Sequence, residues 1–137
     1  MKLSGTVFVV LILSLSLCYG FGKQSELIVD NVGILTDTGT GLQWYEGPEE
    51  PTTWDQANSW VAKLTVGGGG WRMPNMAELR GLYDAGMRKK CSVWSSEFDG
   101  TSVVWVLYFN DGSELKFARD GGPQGLWPRA FAVRTRK

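Results

Sequence analysis

Short apolar runs separated by turn residues dominate the segment from Leu27 to Tyr45. The runs Leu27–Val32 and Gly33–Thr36 have the length of single strands, and the polar segment TDTGTG overlaps the end of the second run. Apolar positions resume at Leu42–Tyr45, so the glycine-containing polar segment predicts a hairpin turn. This part of the chain is therefore predicted to be β structure.

From Thr53 to Val66 the apolar positions recur every three or four residues, which is the spacing of one face of an α-helix. Thr52 or Thr53 can cap this helix, because a threonine oxygen accepts a hydrogen bond from a free backbone N–H of the first turn. A second helix is predicted after Asn75, where Glu78 three residues later completes a capping pattern. The predicted buried positions of the two helices are Trp54, Ala57, Val61, Leu64, Met76, Leu79, Leu82 and Tyr83.

Strand patterns return in the C-terminal half of the chain. A short strand is predicted at Val93–Phe98, and Ser102–Asn110 is apolar on both faces, as a central strand covered on both sides should be. The Asp-Gly pair in Asn110–Ser113 predicts a tight hairpin turn. The inward-facing residues of the two strands that follow are Leu115, Phe117, Phe131 and Val133. A hairpin, two helices and then further strands predict an α+β domain.

The first 22 residues have the layout of a secretory signal peptide. An apolar run from Val7 to Leu17 follows a lone lysine, and small residues at Gly20 and Gly22 suit cleavage. The run is too short to span a bilayer comfortably, so no membrane span is predicted. Lipidation at Cys18, which closes the run, is an alternative. We expect residues 1–22 to be a signal peptide, 23–137 to form a single domain, and the protein to be secreted, periplasmic or at the cell surface.

The absence of histidine excludes more functions than any motif suggests. None of the 137 residues is histidine, so Ser-His-Asp and Cys-His nucleophilic sites and histidine-ligated zinc or haem are excluded within this chain. Cys91 is the one cysteine outside the predicted signal peptide, which excludes iron–sulfur clusters and an internal disulfide there. No cofactor or metal site is predicted, and weak Ca²⁺ binding by scattered carboxylates stays an open alternative. The formal net charge is zero, and nothing indicates nucleic-acid binding.

The four glycines Gly67–Gly70 do not fit a phosphate-binding loop. Such a loop would place Lys followed by Ser or Thr after its glycines and lead directly into a helix, whereas Trp71 to Pro74 intervene here. Pro74 holds the preceding residue extended before the second helix begins. The glycine run is therefore predicted to be a mobile connection between the helices.

Several motifs in combination resemble one known family. They are Asp37–Trp44 (DTGTGLQW), Ala57–Leu64, Gly70–Asn75 (GWRMPN) with Glu78-Leu79, Trp94–Ser96 (WSS) and Ala132–Arg134. From about Leu35 to the C-terminus, the chain is similar to the Lcl C-terminal domain family, domains like the one that ends bacterial collagen-like adhesins. The resemblance implies a C-type-lectin-like fold, in which two helices flank a twisted antiparallel sheet and a long loop region can be adapted for binding.

The resemblance also bears on catalysis and on calcium. The implied fold is related to that of the formylglycine-generating enzymes, which need a pair of active-site cysteines that residues 23–137 lack. Sugar-binding C-type lectins hold Ca²⁺ through Glu-Pro-Asn or Gln-Pro-Asp together with Trp-Asn-Asp, and none of these triplets occurs here. We therefore expect a protein that is not an enzyme and that has no calcium site of the lectin type.

One set of residues is expected to define the fold. Its aromatic members fill the core, its arginine bonds loop carbonyls or a nearby carboxylate, and its serine satisfies backbone groups at a strand end. The proline and the capping residues set the start of the second helix. The members of this set are Trp71, Arg72, Pro74, Asn75, Glu78, Trp94 and Ser95.

A second set of residues is expected to bind a ligand. Trp127 beside Arg129 can stack on a sugar ring or grip an anionic group. We expect the loop that carries them to be joined by three charged side chains, Glu97, Asp99 and Arg119. In the alternative interpretation, Trp127 enters the core and Arg129 forms an ion pair with the aspartate at position 120.

These observations support three functions from different classes. The first is a secreted, non-enzymatic domain that binds an extracellular glycan or protein through its loop face, as in adhesion. The second is a structural subunit of a cell-surface or envelope assembly, with self-association through exposed aromatic residues or Cys91. The cations Arg88, Lys89 and Lys90 would lower the pKa of Cys91 if the thiol is exposed, and a half-buried, inert thiol is the alternative. The third is a hydrolase with a pair of carboxylates.

Overall fold

The computed structural model describes residues 24–121 and 128–136. Two helices and seven strands lie in these residues, together with a short 3₁₀ turn, Val66–Gly68. They are β1 Leu27–Val29, β2 Leu35–Asp37, β3 Leu42–Glu46, α1 Trp54–Lys63, α2 Met76–Asp84, β4 Ser92–Asp99, β5 Val103–Tyr108, β6 Ser113–Ala118 and β7 Phe131–Thr135. The predicted signal peptide and Trp127 lie outside the described residues. Neither helix is long and apolar enough to cross a membrane.

Both helices begin with a reciprocal capping arrangement, as predicted. Thr53 accepts a hydrogen bond from the backbone N–H of Gln56, whose side chain accepts one in return. Asn75 and Glu78 form the same pair at the start of α2, with N···O distances of 2.8 and 3.0 Å. α1 ends at Lys63 and not at Val66, because the backbone is already extended at the next residue and then enters the 3₁₀ turn.

The two predicted hairpins are confirmed. β2 and β3 pair in antiparallel fashion with Leu35 opposite Trp44, and β5 and β6 pair with Tyr108 opposite Ser113. Gly112 has a φ of 79° in the second turn, a conformation that an L side chain rarely adopts. The Asp111 carboxylate accepts a hydrogen bond from the Ser113 backbone N–H at 2.9 Å, which holds the turn.

The α+β class is confirmed, but the strands form two antiparallel sheets and not one twisted sheet. One sheet has the order β1-β2-β3-β7 and the other the order β4-β5-β6. The segment that enters β7 joins them, because the Arg129 backbone N–H donates to Ser92 O at 2.8 Å while Arg129 O accepts from Trp94 N–H at 3.1 Å. These two hydrogen bonds form one isolated β-bridge between Arg129 and Val93. The bridge does not continue as a ladder between the two sheets, because the chain after Arg129 enters β7 and pairs with β3.

The core consists of two clusters, one under each helix. Alternation along β7 divides its side chains between them: Ala132 belongs to the first cluster, and Phe131 and Val133 to the second. Other buried members of the α1 cluster include Ala57, Val61, Trp71, Trp94, Val104 and Val106. Other buried members of the α2 cluster include Trp44, Leu79, Leu82, Val93, Leu107 and Phe109. The helices therefore flank the sheets, as the family resemblance implies.

The WRMPN segment is fixed between β7 and α2. Arg72 exchanges two backbone hydrogen bonds with Val133, at 2.9 and 3.0 Å. Its guanidinium forms two parallel hydrogen bonds with the Glu78 carboxylate, at 2.6 and 2.7 Å. The carbonyl of Pro74 accepts a hydrogen bond from the Ser96 backbone N–H at 2.8 Å, which attaches this segment to β4.

The glycine run Gly67–Gly70 is a bonded turn, and the prediction of a mobile connection is not supported. The Arg134 guanidinium donates to the carbonyls of Gly67 and Gly69 at 2.8 and 2.7 Å. It also lies 4.3 Å from the centre of the Trp71 ring, whose indole N–H donates to Val66 O at 2.8 Å. Arg134 is only 6% exposed, so the donor of these hydrogen bonds is buried although Gly67 itself is exposed.

Candidate functional site

An open groove of about 450 Å³ lies on the sheet β4–β5–β6, beside the start of α2. Its lining residues are Met76, Glu97, Phe98, Trp105 and Glu114. Trp105 is half-buried, although its strand lies in the centre of the sheet. The prediction that β5 is covered on both sides is therefore wrong at Trp105. Leu107 packs in the cluster under α2, whereas Trp105 belongs to neither buried cluster and lines the groove.

A bulge in β4 brings Glu97 to this groove. The register with β5 shifts between Trp94 and Phe98, and bulges of this kind redirect side chains. The fully buried Ser95 holds the shift, because its hydroxyl donates to Trp105 O at 2.6 Å and accepts from the Glu97 N–H at 3.0 Å. Ser95 thus satisfies backbone groups in the strand, as the sequence predicts.

The Glu97 carboxylate also lies at the start of α2. One of its oxygens accepts a hydrogen bond from the Met76 backbone N–H at 2.7 Å. Met76 is the first residue of the helix, and a carboxylate is favoured there because the free N–H groups carry partial positive charge. The second carboxylate oxygen is left for other partners, and the side chain is exposed.

Ion pairs with exposed partners border the groove. Asp99 and Lys116 are 2.9 Å apart, and the Lys116 ammonium lies 4.9 Å from the centre of the Trp105 ring. Glu114 and Arg80 are also 2.9 Å apart. Exposed pairs of this kind contribute at most about 1 kcal/mol. A ligand can therefore exchange them for its own contacts at little cost.

Arg119 is near the groove but is already paired. Its guanidinium forms two hydrogen bonds with Asp55, at 2.6 and 3.0 Å. These hydrogen bonds hold the pKa of Asp55 below its ordinary value, against the opposing effect of desolvation. The same guanidinium lies 5.4 Å from the centre of the Phe98 ring. Of the predicted binding residues, the structure places Glu97 in the groove, Asp99 at its border and Arg119 behind Phe98.

A family model for the Lcl C-terminal domain matches residues 33–128, which is most of the chain. The chain belongs to the Lcl C-terminal domain family. The motifs DTGTGLQW, GWRMPN and WSS fall within the match, whereas Ala132–Arg134 lies beyond its end. The comparison with curated proteins gives no match.

Arg129 has a structural position in this Lcl C-terminal domain, in contrast to the predicted ligand contact. It is 8% exposed, and its guanidinium donates to the carbonyls of Gly47 and Pro48 at 2.7 and 3.1 Å. The alternative ion pair with the aspartate at position 120 is not formed, because the nearest carboxylate partner is Glu46, at 4.0 Å. Arg129 is thus committed to joining the end of β3 to the segment before β7, and Trp127 lies outside the described residues.

Cys91 is half-buried in the same region. Burial raises the pKa of its thiol above the ordinary value, and the opposing effects of Arg129 and Lys89 do not compensate. The lowering of the pKa by the neighbouring cations was expected only for an exposed thiol, and the structure shows the alternative, a half-buried and less reactive one. Less thiolate means a less reactive cysteine, which weakens the case for self-association through Cys91.

Sequence reasoning missed the aromatic centre of the groove. The sequence predicts Trp105 in a strand covered on both sides, whereas the prediction of Met76 on the core-facing side of α2 is confirmed, and Met76 lines the groove as well. The available signal was the alternation in β6, where the charged Glu114 and Lys116 indicate a half-exposed sheet. Since cross-strand partners share a face, the pairing of Lys116 with Trp105 makes that tryptophan a surface residue.

Within residues 24–121 and 128–136, no cluster of three carboxylate or cysteine side chains could hold a metal ion.

Proposed function

We propose that this Lcl C-terminal domain is a non-enzymatic, adhesin-like domain that binds an extracellular glycan at the Trp105 groove. The observation that carries the proposal is a half-exposed tryptophan in an open groove with a carboxylate on either side, Glu97 and Glu114. Membership of the Lcl C-terminal domain family supports an extracellular, adhesin-like role.

The chemistry of the groove suits a sugar unit. The C–H face of a sugar ring packs on an aromatic ring, and its hydroxyls donate hydrogen bonds to carboxylates, which only accept. Trp105 offers the ring, and Glu97 and Glu114 offer the acceptors. Lys116 adds a cation next to the ring, so a glycan with one acidic group is compatible with the same surface. A protein ligand would use Met76 and Trp105 as apolar anchors instead.

The finer assignments of fold and location are parts of the same proposal. Two helices that flank antiparallel strands support a C-type-lectin-like arrangement. The layout of residues 1–22 supports secretion, to the periplasm or the cell surface. The non-enzymatic role is supported by the absence of histidine and by a single cysteine in residues 23–137.

The test is binding of purified residues 23–137 to an array of neutral and sulfated glycans, with and without Ca²⁺, together with the mass of the protein in solution. We expect saturable binding by a monomer. Trp105→Ala should weaken it at least tenfold, whereas Trp105→Phe should keep most of it because a ring remains. Binding unchanged in Trp105→Ala would contradict the assigned site, and an array without any binding would favour a protein ligand or the second function below.

A charge-matched pair of variants tests the role of the carboxylate. Glu97→Gln removes the charge from the groove but keeps an oxygen that can accept from Met76 N–H. Glu49→Gln makes the same change at an exposed position that is not part of the groove lining. We expect weaker glycan binding only in Glu97→Gln. Equal affinities of the two variants would remove Glu97 from the site.

One observation favours the second candidate, a structural subunit of an assembly. β1 forms one edge of its sheet, and the apolar side chains of Ile28, Val29 and Val32 are 53%, 62% and 53% exposed. Exposed apolar edges of this kind support association with another chain. An oligomer that dissociates in Val29→Lys, but not on addition of reductant, would establish this function without Cys91.

A further inference from the structure

A second cavity, distinct from the Trp105 groove, lies between the β2–β3 turn and α2. It has a volume of about 230 Å³, and Asp37, Thr40, Trp44, Glu78 and Gly81 are among its lining residues. A hollow of about 530 Å³ adjoins it and shares Asp37, Thr40 and Gly81. We name the two together the hairpin cleft. Since one water takes about 30 Å³ in the liquid, the smaller part alone has room for several waters or one small polyol.

Trp44, one wall of this cleft, has a buried hydrogen-bond donor without a partner among the described residues. Trp44 is 1% exposed, and its indole Nε1 has no acceptor among the described residues. The indoles of Trp54, Trp71 and Trp94 each donate to a backbone carbonyl, at 2.8, 2.8 and 3.0 Å. A buried donor that is left unpaired destabilises the folded state. Trp44 thus borders the cleft with a donor that the described residues leave unpaired, and the nitrogen itself is covered by the surrounding side chains.

Gly81 keeps the cleft open from the helix side. It lies in the interior of α2, where glycine is unfavourable compared with alanine. Nothing lies within 4 Å of the position that a Cβ would take, and Gly81 has no positive φ that would require glycine. Neither backbone conformation nor crowding explains the residue. Its structural consequence is the empty space over this turn of the helix.

The walls of the cleft contain acceptors but no cation. Asp37 is 1% exposed, and its carboxylate accepts from Gly39 N–H and the Thr40 hydroxyl, each at 2.9 Å. Glu78 contributes a second carboxylate, held by Arg72. No lysine or arginine is among the described residues that line either part of the cleft. An anionic ligand would therefore be repelled, whereas neutral hydroxyl groups can donate to the remaining lone pairs.

We propose that the hairpin cleft binds one neutral, hydroxyl-rich molecule of the size of a single sugar unit, against the wall that Trp44 forms. This inference goes beyond the proposed function, because it requires neither Trp105 nor any other residue of the groove. The ligand hydroxyls donate to the Glu78 carboxylate, and the ligand ring lies over the space above Gly81.

The test follows the indole N–H signals of ¹⁵N-labelled protein by NMR. Loss of one signal in Trp44→Phe assigns the Trp44 resonance. Galactose, mannose, N-acetylglucosamine and myo-inositol are then titrated separately. We expect at least one of them to shift the Trp44 signal saturably, and to do so equally in Trp105→Ala. That variant separates the cleft from the groove, so that failure of one proposal does not decide the other.

Variants at Gly81 supply the control for space. Gly81→Met fills the cleft, and we expect the affinity of the shifting ligand to fall at least tenfold. Gly81→Ala adds only a Cβ, and it shows whether a change at this position alters the fold, through the dispersion of the other indole signals. If no probe shifts the Trp44 signal, or if Gly81→Met binds as well as the unmodified protein, the proposal is overturned.

Discussion

The glycine run and the hairpin cleft both combine a glycine with a buried tryptophan, yet they have opposite character. At the glycine run, the Trp71 indole donates to Val66 O, and Arg134 satisfies the carbonyls on either side of Gly68. At the hairpin cleft, the Trp44 indole has no partner among the described residues, and space remains over Gly81. In the glycine run, the polar groups named here are hydrogen-bonded within the protein. In the hairpin cleft, one donor is unpaired and there is empty space that a ligand can occupy.

The difference teaches that a glycine must be judged by its surroundings. A Cβ on Gly67 would lie 2.6 Å from Ile34 Cδ1 and 2.7 Å from Arg134 Nη2, and φ there is positive. A Cβ on Gly81 would meet nothing within 4 Å. Gly67 is therefore favoured by its positive φ and by the two side-chain ends close to it, whereas neither reason applies to Gly81. We expect substitutions in the first region to cost stability, and substitutions in the second to cost binding but not stability.

The largest expected effect is that of Arg134→Ala. This change removes the donor to two glycine carbonyls and to the Gln43 side chain, and it uncovers Trp71. Because Arg134 is buried, we expect the free energy of unfolding to fall by about 3 kcal/mol, measured by urea denaturation. Arg136→Ala, an exposed neighbour, is the control and should change stability by less than about 0.5 kcal/mol. Equal losses in the two variants would mean that Arg134 does not hold the glycine run.

The next effect separates crowding from backbone strain. Gly67→Ala should destabilise the fold by about 2 kcal/mol, because a methyl group must displace Ile34 or Arg134 at a positive φ. Gly69→Ala is not crowded, since its nearest neighbour would be Leu64 O at 3.7 Å, but its φ of 76° with ψ of −154° is a conformation almost closed to residues other than glycine. We expect a loss of about 2 kcal/mol there from backbone strain alone. If urea denaturation shows that Gly67→Ala loses no more than about 1 kcal/mol, which is the cost of its left-handed backbone conformation alone, crowding contributes nothing.

A smaller effect concerns the ion pair next to the cleft. Burial favours a raised pKa for Glu78, but hydrogen bonds from Arg72 and the Asn75 N–H, with the charge of Arg72, lower it below the ordinary value. Deprotonated Glu78 therefore stabilises the fold above the ordinary glutamate pKa, and this contribution is lost as pH falls through the lowered value. Half of the Arg72 side chain is exposed, which reduces the expected contribution to about 1 kcal/mol.

Glu78→Gln measures that contribution. The variant keeps an oxygen for the capping bond to Asn75 but has no charge for Arg72. In urea denaturation at pH 7, we expect the unmodified protein to be more stable than Glu78→Gln. The difference in the free energy of unfolding between the two proteins should shrink as the pH is lowered to 3. A difference that stays constant over this range would assign the effect to packing instead of charge.

Local features of this fold were predictable because their causes are local. The capping pairs at Thr53 and Asn75 and the Asp-Gly turn depend on residues within three or four positions of one another, so the sequence contains all the partners. The glycine run was assigned as mobile because its partner, Arg134, is more than 60 residues away. Distant side chains that reach backbone carbonyls have no signature in local patterns.

The candidate site was predictable only in part, for the same reason. Glu97 and Asp99 were expected near the ligand, and the structure places them at the Trp105 groove. The aromatic partner could not be deduced, since exposure of Trp105 depends on how far α2 extends over the sheet. Arg129 illustrates the converse case. A basic residue near a surface loop suggested an anion contact, but its carbonyl partners Gly47 and Pro48 come from a distant strand end.

The smallest expected effect is an increase in the free energy of unfolding, and it tests the comparison between the glycine run and the hairpin cleft directly. Gly81→Ala should stabilise the protein by about 0.5 kcal/mol, because alanine is the better helix former and nothing crowds its methyl group. The midpoint of urea denaturation measures this against Gly67→Ala, which makes the same chemical change. If Gly81→Ala is more stable and Gly67→Ala less stable than the unmodified protein, glycine at position 81 makes α2 less stable than alanine would. A loss of stability at both positions would show instead that Gly81 is needed for packing, and that the hairpin cleft is not open in solution.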